Sequence, residues 1–103
     1  MTENTVTFLN TRCQLRFARY QNGRLAIQLF DVEDGYPVAI ATVNVPGIPL
    51  ADDQVLIKDY AENQGILAAL EAAEIVRATN LRCRVGHEQA EVCHLLIAAP
   101  TVH

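Results

Sequence analysis

The side chains able to do covalent or metal chemistry are few in this chain. It holds three cysteines, three histidines and a single lysine, Lys58, and it contains no serine. Without serine, Ser-His-Asp triads and glycine-flanked serine nucleophiles are excluded. A glycine-rich phosphate loop and a dinucleotide fingerprint are absent as well. Four reactive residues do lie close in sequence: Cys83, His87, Cys93 and His94. A tight hairpin centred on Glu88 would set Cys83 directly across from Cys93. That pair can hold a soft metal with the histidines or close a disulfide. A thiolate activated by His87 is the enzymatic version of the same cluster. Three observations weigh against both. No paired CxxC or CxxxC spacing occurs, and the neighbours Cys93 and His94 would point to opposite faces of a strand. Cysteine is also often buried as a plain small hydrophobe, which suits Cys13 as well. The expectation is therefore no metal, no cofactor and no catalytic residue.

The other candidate site is the entry to the stretch IKDYAENQGILAALEAAEIV, residues 57–76, the one segment with helical periodicity. Asp59 and Glu62 have the spacing of an acidic capping box and lie at the positive end of the helix dipole. Ile66, Leu67, Leu70 and Ala73 then share one side, and the intervening alanines favour helix. The helix is expected over about residues 60–74, with Ile75 and Val76 as an extended exit. Gly65 is the anomaly, because an interior glycine costs about 1 kcal/mol relative to alanine. It implies close packing on a strand, a helix that starts near Asn63, or backbone approaching a ligand. The candidate interaction surface is Lys58, Asp59, Tyr60, Glu62 and Asn63, with Asp52 and Asp53 nearby. Capping alone accounts for Asp59 and Glu62, and a lone lysine between strand and helix needs only water. Tyr60 is different, since half-exposed tyrosines are enriched at interfaces.

The bulk properties bound what such a surface can meet. At 103 residues the chain is expected to form one domain, residues 1–103, with a core large enough to need no staples. Half of the residues are hydrophobic and 19% are charged, which excludes intrinsic disorder. No run approaches a membrane span, and MTENTVTF lacks the basic-then-apolar order of a signal peptide, so a cytoplasmic protein is expected. An odd cysteine count fits reduced thiols there. The net charge of −4 argues against a nucleic-acid partner. Arg12, Arg16 and Arg19, or Arg82 and Arg84, can still form a local basic patch, although on strands they read more simply as a solvated face.

The remaining segments read as strands. Residues 5–9 alternate through Val6 and Phe8, and Cys13, Leu15 and Phe17 alternate with Arg12, Gln14 and Arg16. Leu25, Ile27 and Leu29 make a third strand after Gln21-Asn22-Gly23. A two-residue Asn22-Gly23 turn would place Phe17 opposite Gln28 and mix the faces. A three-residue loop places Phe17 opposite Ile27 and Leu15 opposite Leu29, and burial selects it, with Gly23 in the left-handed position. Glu33-Asp34-Gly35 is the next turn. Residues 38–45 follow as a strand apolar on both faces and hence central. A loop over 46–54 leads to a brief strand at 55–57. After the helix, 77–80 is expected as a polar connection, and 81–85 with 90–97 as a closing hairpin around residues 86–89. The predicted fold class is α+β: an antiparallel, meander-like sheet with one helix packed on a face.

The run IKDYAENQGILAALEAAEIV, with the later VGHEQAEVCHLL, resembles a family of small bacterial proteins of unknown function found on chromosomes, plasmids and other mobile elements. The matching positions are Lys58, Asp59, Tyr60, Glu62, Asn63, Gly65, Leu67, Leu70, Val92 and Cys93. The earlier GRLAIQLFDVEDGYPVAIATVNV, with Gly23, Asp31 and Gly35, is similar to the family's first half. The resemblance runs from about Leu25 onward and departs at Glu74, where a helix-ending glycine is expected. It supplies no catalytic residues. It implies a small non-catalytic protein that binds a host protein or complex, for example as a mobile-element-encoded inhibitor of a defence system. A self-associating accessory domain, a possible homodimer, and a Cys/His metal protein are the alternatives.

Overall fold

The computed structural model describes residues 5–98. Four strands form a meander: β1 (Thr5–Phe8), β2 (Thr11–Arg19), β3 (Leu25–Asp31) and β4 (Pro37–Ile40), hydrogen-bonded in that order. The β2–β3 register pairs Phe17 with Ile27 and Leu15 with Leu29, as the burial argument requires. Tyr20 and Arg24 close the loop with a 2.8 Å hydrogen bond, leaving Gln21, Asn22 and Gly23 outside the ladder. Gly23 has φ +86°, the left-handed value a bulged three-residue loop demands.

The apolar segment after Pro37 is not one central strand over 38–45. It pairs with β3 only as far as Ile40 and the Ala41 N–H, which donates to the Ile27 carbonyl at 2.8 Å. Thr42 then bridges to Ile57 of β5 (Gln54–Ile57), where the Lys58 N–H donates to the Ala41 carbonyl at 2.8 Å. The chain thus passes from one sheet into another, which explains why both of its faces are apolar. The second sheet has the order β5-β7-β6, with β6 at Val76–Val85 and β7 at Glu88–Leu95. Residues 77–80 belong to β6 and are not a connection. Leu70, Ile27, Leu29, Ile57, Ile66 and Cys93 meet in the main core, which draws on both sheets and the helix. A smaller core lies around Leu56, Cys83, Ala90 and Val92, with Val43, Val45, Ile48 and Leu50 laid over it. Arg24 holds this covering loop, donating to the carbonyls of Val45 (2.7 Å) and Ile48.

The helix is shorter than its apolar periodicity suggests. Ala61–Asn63 forms one 3-10 turn, and α1 spans only Ile66–Ala72, between β6 and β1. Gly65 is the residue before α1 and has φ +96°; a Cβ added there would meet nothing within 4 Å. The glycine serves a left-handed bend at the helix start and not close packing on a strand. The exit is a Schellman motif: the Ile75 N–H donates to the Leu70 carbonyl at 2.9 Å and the Glu74 N–H to that of Glu71 at 3.0 Å. Glu74 sits at its left-handed position with φ +60°. An L-residue there loses about 1–2 kcal/mol relative to glycine, partly offset by glycine's freedom in the unfolded chain. Glu74→Gly is therefore expected to stabilise the fold by about 1 kcal/mol, read as a rise in Tm of about 4–8 °C by calorimetry. No helix among the described residues is long and apolar enough to cross a membrane. The architecture is α+β, with seven strands in two antiparallel sheets among the described residues.

Candidate functional site at the helix entry

Strand β5 ends at Ile57, and the next six residues carry the whole candidate surface. Asp59 caps α1, but from further away than a capping box would. Its Oδ1 accepts from the N–H groups of Gly65 (3.0 Å) and Leu67 (3.1 Å), reaching across the 3-10 turn to the first turn of the helix. Glu62 does not reach back to complete the box. It accepts from Lys58 Nζ at 2.5 Å, and that hydrogen bond holds its carboxyl below the usual range while raising the lysine. Lys58 Nζ also lies 5.6 Å from the centre of the Tyr60 ring, within cation–π range.

Asn63 is not a surface residue. It is 2% exposed, and its Nδ2 donates to the Ile40 carbonyl at 2.6 Å. Because the flanking Ala41 N–H points at β3, the Ile40 carbonyl points the other way, and the Asn63 amide fills the place a neighbouring strand would take. Two of the five predicted residues thus build the entry and three are presented by it. Asp52 and Asp53 are not part of it: Asp53 faces His94 at 3.5 Å, and Asp52 lines a separate groove with Arg19 and Arg24.

Beside the entry opens a groove of about 530 Å³ that sequence reasoning did not anticipate. Tyr20, Val38, Ile40 and Thr42 line it together with Lys58, Glu62 and Asn63. Its floor is fixed by Thr42, whose Oγ1 accepts the Ile27 N–H at 3.2 Å and lies 3.0 Å from the Tyr20 hydroxyl. Ile40, 54% exposed on an edge strand, is the apolar residue left open at this groove. Its exposure was hidden by the two-sided apolarity of residues 38–45, and the Tyr20–Thr42 contact joins residues with no local pattern between them.

The Cys83/Cys93 arrangement is not realised. The β6–β7 turn is Gly86-His87, so Cys83 pairs with Ala90, while Cys93 pairs with Ala78 beyond a bulge in β6. All three cysteines are free and buried. Burial, with Glu91 next, pushes the Cys93 thiol up to about 12, and burial and Asp31 raise Cys13. A thiol reagent at mildly alkaline pH is expected to leave Cys13 and Cys93 unlabelled in the folded protein and to label them on denaturation, as read by mass spectrometry. The sign of the linked pH effect follows. Cys93 stays protonated in the fold after the unfolded thiol has ionised near 9.0, so its contribution is intact below that value and is lost as pH rises towards about 12. Among the described residues no group of three or more His, Cys, Asp or Glu side chains is placed to hold a metal ion. Comparison with protein-family models, with curated proteins and with solved structures finds no match to this chain.

Proposed function

We propose that this chain is a non-catalytic cytoplasmic protein that binds and modulates a larger host protein or complex through the helix entry. Lys58, Tyr60 and Glu62 are the presented residues; Asp59 and Asn63 hold them in place. The observation that supports this reading is the groove beside the entry, which the exposed Ile40 lines together with the Lys58–Glu62 pair and which the Asn63 and Thr42 side-chain hydrogen bonds hold in place. A preordered apolar and charged rim of this kind keeps the entropic cost of association low. That the partner belongs to a host defence system rests on the resemblance of the helix-entry run to a mobile-element family. The test is affinity capture from a lysate of the source cell, read by mass spectrometry, with Tyr60→Ala alongside. One complex enriched by the native chain and lost with Tyr60→Ala is expected. Equal recovery by both proteins, or none by either, would remove the helix entry from consideration.

A further inference from the structure

On the outer face of the β1–β4 sheet Arg12, Arg16 and Ile40 are exposed and Gln14, Gln28 and Phe30 are half-buried, so this face presents positive charge on an acidic chain. Register places Arg16, Gln28 and Ile40 in one cross-strand row on this face, with Gln14 and Phe30 in the next. The opposite face carries Cys13, Leu15, Ile27 and Leu29 into the core. Arg12 and Arg16 are exposed, and neither forms an ion pair among the described residues. The Arg16 guanidinium lies 4.2 Å from the centre of the Phe30 ring, and Phe30 is only partly buried. None of the outward positions of β1, β2, β3 and β4 carries a carboxylate, in a chain whose net charge is −4.

From this geometry we infer a second binding surface, which shares Ile40 with the groove at the helix entry but none of Lys58, Tyr60 and Glu62, that takes an acidic segment of another protein with apolar side chains between its carboxylates. Arg12 and Arg16 receive the carboxylates; Phe30 and Ile40 receive the apolar side chains. Charge decides the occupant. A second copy laid face to face would set like guanidinium groups against each other, a repulsive arrangement. A nucleic acid would find two unpaired arginines on an acidic protein, too few phosphate contacts to hold against salt.

The test is a nuclear magnetic resonance titration of the full chain with a capped peptide alternating aspartate and leucine. Parallel titrations use the same peptide with lysine for aspartate, and oligothymidylate. Expected are amide shifts confined to residues 12–16, 28–30 and 40, which fade as salt is raised. Arg16→Glu should weaken binding about tenfold or more. Arg77→Glu, the same charge change on the other sheet, and Tyr60→Ala should leave it unchanged. Because Arg16 is exposed, the variant's own spectrum reports whether it folds, and Arg12→Glu is the second variant. The inference is overturned by absent shifts, by shifts elsewhere, or by equal binding of the lysine peptide. It is also overturned if oligothymidylate binds this face more tightly, which would make it a single-strand platform.

Discussion

Leu70→Ala is expected to cost about 3–4 kcal/mol of unfolding free energy, the largest effect of any single substitution considered. Leu70 is fully buried in the main core, on a helix of two turns that fills the space between β6 and β1. Truncating a buried leucine removes its transfer free energy and leaves a cavity, together about 2–5 kcal/mol. The upper half of that range applies because the site cannot collapse easily. α1 is pinned at its start by Asp59 and at its end by the Ile75-to-Leu70 hydrogen bond, so it has little freedom to move inward. Against a total stability of about 5–15 kcal/mol, the loss is a large fraction. Urea unfolding should show a lower midpoint at unchanged slope. A loss below about 1 kcal/mol would mean that α1 is not docked as described.

Thr42→Val is expected to cost about 2–3 kcal/mol although it preserves shape. Thr42 is 4% exposed and sits where the chain crosses between the sheets. Valine removes the acceptor of the Ile27 N–H and one of two partners of the Tyr20 hydroxyl, which keeps the Thr42 carbonyl at 3.3 Å. A buried donor left unpaired costs its full desolvation, about 1–3 kcal/mol, far more than the net value of the bond. Thr42→Ser should recover most of the loss. Tyr20→Phe combined with Thr42→Val should cost less than the sum of the two singles, since they share one bond. Strict additivity in that double-mutant cycle would contradict the arrangement.

The parts of the fold that were legible are those where only one face is buried. In β2 and β3 a slip of one residue would bury Gln28 and Arg16, so alternation alone fixed the pairing of Phe17 with Ile27. Strand β7 offers no such choice. Val92 serves the small core and Cys93 the main one, so either register buries apolar side chains, and the pairing of Cys83 turned on a turn type that alternation cannot select. The same two-sided apolarity hid the sheet crossing at Ala41 and Thr42. At the helix entry, the 3-10 turn and α1 share a nearly helical spacing, so the left-handed break at Gly65 left no mark on the periodicity. Asn63 read as a surface polar residue because its partner, the Ile40 carbonyl, lies on a strand edge that only the tertiary fold brings near.

In the proposed function Tyr60 makes the recognition contact while Asp59 and Asn63 hold the entry in shape. The most direct test is a calorimetric titration of the purified captured partner into the native chain, Tyr60→Ala and Leu81→Ala, with Tm measured for each. Leu81 is the control, an exposed apolar residue on β6, which β7 separates from β5 in the second sheet. The predicted result is a loss of affinity of about tenfold or more for Tyr60→Ala at unchanged Tm, with Leu81→Ala binding like the native chain. Native affinity in Tyr60→Ala, or a loss only in step with a fall in Tm, would contradict a binding surface at the helix entry.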